Sequence, residues 1–227
     1  MGEYISLIIA CGLFVGSHFL LSHILRGWTV TKFGEKAFLG IYSLIAILSF
    51  GWMIWAYSQS ARGAYFWQPT DGVWIASSLL TLLAAIFYCG SMRGNPALAN
   101  PDAVAGKAMA TRPAEGLFRV TRHPMMWSFA FWGTAHILVA PRTDNFLFAG
   151  SIIFLALVGA WAQEGKKSAQ MGAEWRDWQS RTSYWPRLSR LPQIGWRLWL
   201  AGVVLWLAAT AAHNIFGPYN AGIFRWL

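Results

Sequence analysis

Six long apolar runs, almost empty of charge, constrain this 227-residue chain more than anything else in it. They lie near 4–25, 38–57, 73–89, 124–140, 145–162 and 196–216. Each is close to the roughly 17–25 residues that a bilayer-crossing helix needs. Inside hydrocarbon, backbone N–H and C=O groups find no water, so such a run satisfies them within itself as a helix. The expected fold class is therefore all-α: one polytopic membrane domain over 1–227 with about six transmembrane helices. Composition agrees. Only 12% of the residues are charged, where a soluble domain carries about 25%. The first run, with Glu3 where a signal peptide has a basic region, is expected to stay as a span.

Charge placement orients the helices. Arg26, Lys32 and Lys36 fall in the first loop, and Arg93, Lys107, Arg112, Arg119 and Arg122 in the third. The fifth carries Lys166, Lys167, Arg176, Arg181, Arg187, Arg190 and Arg197. Of the 18 basic residues only Arg62, Arg142 and Arg225 fall on the opposite side. Loops rich in Lys and Arg face the cytoplasm. The odd-numbered loops are thus expected to be cytoplasmic and both termini external, in a bacterial-type inner membrane. The net charge of +9 then reports topology and anionic lipid. No base-reading basic motif points to nucleic acid. Cys11 and Cys89 both fall within spans, away from any extracellular disulfide framework.

The richest stretch is Leu117–Leu138, LFRVTRHPMMWSFAFWGTAHIL. Pro124 suits a first helical position, where its missing N–H is no loss. His123 therefore sits at the membrane edge and His136 about 20 Å further along the helix. Met125, Phe129, Trp132 and His136 share one helical stripe, which can line a flat hydrophobic cofactor or simply pack. In the first span His18 and His23 are about 140° apart around the helix, so they do not readily serve one site. Ionisable groups within a bilayer are rare and commonly functional. His213, in the sixth span, lies near the outer interface, where a solvated role is expected. The long third loop, with Asn95, Pro96, Asn100, Pro101 and Pro113, has the length of a functional segment. The fifth loop places Trp175 and Trp178 among Lys and Arg, the pattern of an amphipathic helix on the membrane surface, able to close over a site formed with the third loop.

TRHPMMW…FWGTAH, FVGSHFLLSH, Gly34-Glu35 and Gly172…Glu174-Trp175…Arg181-Thr182-Ser183 together resemble the NnrU family of integral membrane proteins. That family is named for an association with denitrification genes. A related branch, the 15-cis-zeta-carotene isomerases, binds haem b through a histidine of the first span and the histidine closing the RHP helix. The resemblance implies haem b here, with His18 and His136 as iron ligands and His23 as the alternative to His18. It implies redox or isomerase-like chemistry on a hydrophobic substrate. Arg119 and Arg122, beside His123, are then placed at the membrane edge to meet haem propionates by charge-assisted hydrogen bonds. A second resemblance, to isoprenylcysteine- and phospholipid-type membrane methyltransferases, implies S-adenosylmethionine bound near Arg122, His123, Pro124 and Glu164. The chain departs from that pattern at Met126, where an aromatic residue is common, and at Glu164, which precedes Gly165 rather than a second glutamate. A third class is a non-catalytic accessory protein of respiratory or denitrification enzymes.

Overall fold

The computed structural model describes residues 2–92, 94–97, 103–217 and 220–227. Arg93, Asn100 and Pro101 of the third loop lie outside them. The described residues are helical, with no strand among them: α1 (Ile5–Phe19), continued by a π-helical turn Leu20–Ile24, α2 (Arg26–Phe33), α3 (Glu35–Gln59), α4 (Asp71–Ser91) and α5 (Ala103–Thr111). Then follow α6 (Pro124–Val139), α7 (Thr143–Met171), α8 (Ala173–Arg181) and α9 (Trp196–Phe216). α1 with its π turn, α3, α4, α7 and α9 are each long and apolar enough to cross a membrane. This is a multi-pass membrane protein. Its surface carries the apolar groups that a soluble protein hides. Ile47, Trp161 and Trp196 are each about seven-tenths exposed.

α6, the fourth apolar run, has 16 residues, a rise of about 24 Å. It still passes from one end of the bundle to the other, because its neighbours hold it in register. Ser128 Oγ donates to Ala84 O at 2.8 Å and Ser77 Oγ to Ala135 O at 3.0 Å, fixing α6 antiparallel to α4. Pro124, Trp127, Ala130, Gly133 and Ala135 are all buried. A helix enclosed by protein need not match the hydrocarbon thickness as a lipid-facing one must.

The main helices pack in the series α3, α1, α7, α6, α4, α9. α1 runs parallel to α7, with Cys11 Sγ against Leu147 O and Phe19 against Phe154. α9 crosses α4 at Gly202, where a Cβ would meet the Ile86 backbone. Small residues at such crossings let membrane helices approach closely. α3 and α9, the ends of the series, are not among the closely packed pairs, so the bundle is an open arc.

Two stretches differ from the expectation. The fifth loop begins later than its charge suggests. α7 runs on through Gln163, Glu164, Lys166 and Lys167 to Met171, and stops only at Gly172, whose φ of 61° ends the helix. Gln, Glu, Lys and Ala are good helix formers, so polarity here does not mean loop. α8 does form around Trp175 and Trp178, but neither indole lies on a lipid surface. Both are fully buried, packed with Ala97, Ala110, Phe118 and Met171. Nor is the third loop free. Arg181 donates to Arg112 O and Ala110 O, and Arg122 N to Ser183 O. Thr121 Oγ1 donates to Tyr184 O, and Arg187 N to Val120 O. The third and fifth loops thus form one packed cap over what is called here the basic end.

Candidate functional site

Inside the arc lies a cavity of about 1150 Å³, lined by residues of α1, α3, α4, α6, α7 and α9. That exceeds the roughly 300–1,000 Å³ of ordinary small-molecule pockets. Its middle is aromatic. Phe14 packs on Phe50, Phe50 on Phe148, and Phe148 on Trp132. Four of the five histidines, His18, His23, His136 and His213, line it.

These histidines stand at different levels. His18 is one turn from Phe14 toward the basic end, and His136 one turn from Trp132 toward the far end. They are separated along the bundle axis by about two turns, roughly 11 Å. The rings next to His18 are Phe14 and Tyr42. Those next to His136 are Trp132, at 4.1 Å between centroids, and His213, at 6.1 Å. His213, placed near the outer interface by its position in the sequence, is exposed on the surface of the bundle, and it also edges the cavity beside His136. The expected stripe on α6 is present: Phe129, Trp132 and His136 face the cavity, joined by Met126 rather than Met125.

Three of the rings share one local geometry. Nδ1 of His18 lies 2.6 Å from Phe14 O, Nδ1 of His136 2.7 Å from Trp132 O, and Nδ1 of His213 3.0 Å from Ala209 O. A carbonyl only accepts, so Nδ1 carries the proton and Nε2 the lone pair. Metal-ligating histidines are held in this way, with the far ring nitrogen bonded to a backbone carbonyl or carboxylate. Among the described residues Nε2 of none of the three makes a hydrogen bond, and no group of three or more His, Cys, Asp or Glu side chains is arranged to hold a bare metal ion. The donor set fits a cofactor that brings its own equatorial ligands.

The RHP segment belongs to another cluster. Arg122 Nε donates to Glu164 Oε1 at 2.6 Å, His123 Nε2 donates to the same oxygen, and Gln179 Nε2 donates to Oε2. His123 is fully buried, and burial pushes its pKa down against the pull of Glu164. With Arg122 already balancing the carboxylate, the neutral ring suffices. His123 Nδ1 has no hydrogen-bond partner among the described residues. The cluster ties α6 and α7 to α8, and none of its four members lines the large cavity, which reaches only the adjacent Gln163. Arg119 donates Nε to Ala114 O and is exposed. The structure therefore does not bring Arg119, Arg122 and His123 to the cavity that holds His18 and His136.

The far end holds the charges that reasoning from the sequence treated only as topology. Arg142 and Arg225 line the cavity, as do Tyr65, Gln68 and Asn145. Asp144, fully buried, takes Arg62 Nη1 at 2.9 Å and both Nε and Nη2 of Arg142 at 3.2 Å. Arg142 and Asp144 are two residues apart, a visible signal. Arg62 comes from a distant loop and offered none.

The family model described as NnrU protein matches residues 6–219, and the chain belongs to that family. No curated protein and no solved structure matches it.

Proposed function

We propose that this NnrU-family protein binds haem b in the cavity inside the helical arc, with His136 as an iron ligand, and acts on a hydrophobic substrate reaching the cavity from the bilayer. The observation that carries the reading is the set of cavity-lining imidazoles whose Nδ1–H is fixed on the preceding turn. Each presents a bare Nε2, and His18 and His136 do so beside aromatic rings that suit a flat macrocycle. When bound, haem would supply redox chemistry or an iron centre for double-bond isomerisation, tuned by the residues that hold it and the polarity around it. The chain's own residues orient the imidazoles, and the Phe14–Phe50–Trp132 layer keeps water from the middle of the cavity. Of the two possible partners for His136, His213 is the adjacent imidazole, and His18 lies at the other level. The gap between α3 and α9 gives an apolar substrate a lateral path. By the positive-inside rule the basic end faces the cytoplasm of an inner membrane.

S-adenosylmethionine at Arg122, His123, Pro124 and Glu164 has less support. Glu164 is already engaged by three side chains, and His123 is buried behind it.

The test is the absorption spectrum of protein purified from haem-replete cells. A haem band is expected in the wild type and its loss in His136→Ala. In His213→Ala a low-spin, six-coordinate spectrum should become high-spin, whereas the same change in His18→Ala alone would assign the second ligand to His18. A wild type without a haem band, which reconstitution with haem does not restore, would overturn the reading in favour of an accessory or methyl-transfer role.

A further inference from the structure

At the far end of the cavity three guanidiniums, of Arg62, Arg142 and Arg225, face two carboxylates, of Asp71 and Asp144. Around Asp144 two guanidiniums, Arg62 and Arg142, share a single carboxylate. Arg142 is buried, and among the described residues its Nη1 has only Tyr65 Oη, at a long 3.5 Å. Arg225 has only a loose ion pair, with the exposed Asp71 at 3.6 Å, beyond hydrogen-bond reach. Its guanidinium lies 4.2 Å from the centroid of the Trp74 ring, and among the described residues it makes no hydrogen bond. Both arginines line the cavity at the level of His136 and His213. Buried donors without acceptors are costly, which applies to Arg142; Arg225 is exposed and reaches the cavity with its fork uncommitted, and a carboxylate is the natural partner of such a fork.

From this geometry we infer that the far end of the cavity is a carboxylate-binding subsite, in which Arg142 and Arg225 hold the acidic groups of an amphiphilic ligand whose apolar body lies against Phe129 and Trp132. The inference rests on the haem reading for the identity of that ligand. It assigns the propionates to Arg142 and Arg225 at the far end, not to Arg119 and Arg122 at the basic end. Haem would then enter with its carboxylates directed away from the cap.

Metal-free protoporphyrin IX tests this apart from iron ligation. The probes are the diacid and its dimethyl ester, titrated into the detergent-solubilised full chain and followed by quenching of tryptophan fluorescence. The diacid should bind at least about tenfold more tightly than the diester, the discrimination that hydrogen bonds to a charged group supply. Arg225→Gln leaves the Asp144 network intact. It should reduce diacid affinity by about tenfold and leave that of the diester unchanged. Arg142→Lys, which retains the charge and loses the fork, should give a smaller loss of the same sign. Equal affinities for diacid and diester, equal losses of both in Arg225→Gln, or no binding of either would overturn the subsite. None of these results depends on the iron band, so failure of the haem reading is recorded separately, by His136→Ala.

Discussion

Asp144 shows how much one side chain carries at this end of the molecule. It is fully buried and joins Arg62 of the loop before α4 to Arg142 of the turn before α7. Removing one partner of a buried ion pair leaves the other uncompensated, at a cost of about 3–5 kcal/mol. Asp144→Asn should therefore lower the thermal unfolding temperature in detergent sharply. Asp177→Asn, which removes an exposed partner of Arg181, should change stability by less than about 1 kcal/mol. Comparable shifts in the two variants would show that Asp144 is not the clasp described here. At this scale the sequence was partly legible. A histidine deep in an apolar helix, at the end of an aromatic stripe, marked His136 as facing something other than lipid. Arg142 and Arg225 were not legible as cavity residues, because three basic residues on the poor side of a charge asymmetry look like exceptions. Only the fold brings Trp74 and Asp71 to one of them and Arg62 to the other through Asp144.

Among the elements, the α4–α9 crossing depends on the absence of a side chain at Gly202. A Cβ there would lie 2.8 Å from Ile86 Cα and 3.0 Å from Ile86 N, and backbone cannot step aside as a rotamer does. Gly202→Ala should separate the two helices and destabilise the fold by about 1–3 kcal/mol, the usual range for overpacking. Gly51 of α3 faces outward with nothing within 4 Å of its would-be Cβ. Gly51→Ala should be neutral or stabilising by up to about 1 kcal/mol, because alanine favours helix. Thermal melts of the two variants decide the matter, and a Gly202→Ala protein as stable as wild type would refute the close crossing. Element boundaries followed local chemistry where a breaker was present. Pro124 opens α6 where expected, since its ring excludes earlier helical turns. Where polarity alone was the signal, the helix continued, as α7 does through Glu164. Trp175 and Trp178 gave the opposite lesson. Tryptophan among lysine and arginine has the composition of an interfacial helix, but composition does not distinguish lipid from a partner such as Phe118, more than fifty residues earlier in the chain.

At the scale of the whole molecule, alternation of the connections is the property from which the others follow. Arg62, Arg142 and Arg225 gather at the end where Asp71 and Asp144 partly neutralise them, while the other end keeps a large excess of Lys and Arg over Asp and Glu. The cap of third and fifth loops closes the basic end, and the cavity's incompletely paired guanidiniums lie at the other. A ligand with acidic groups is thus drawn toward the less basic face, although most of the positive charge is on the opposite side. The local balance at Arg142 and Arg225, rather than net charge, decides it, because exposed charges further than about 10 Å away are screened. If the basic end is cytoplasmic, single cysteines report it directly. Gln59, at the end of α3, and Thr111, at the end of α5, are exposed at opposite ends of the molecule, and the native Cys11 and Cys89 lie within helices. In a background with both native cysteines replaced by serine, Gln59→Cys should react with a membrane-impermeant maleimide in intact spheroplasts. Thr111→Cys should react only after permeabilisation. The reverse pattern would invert the molecule in the membrane, and labelling of both from outside would mean that the connections do not alternate across the bilayer.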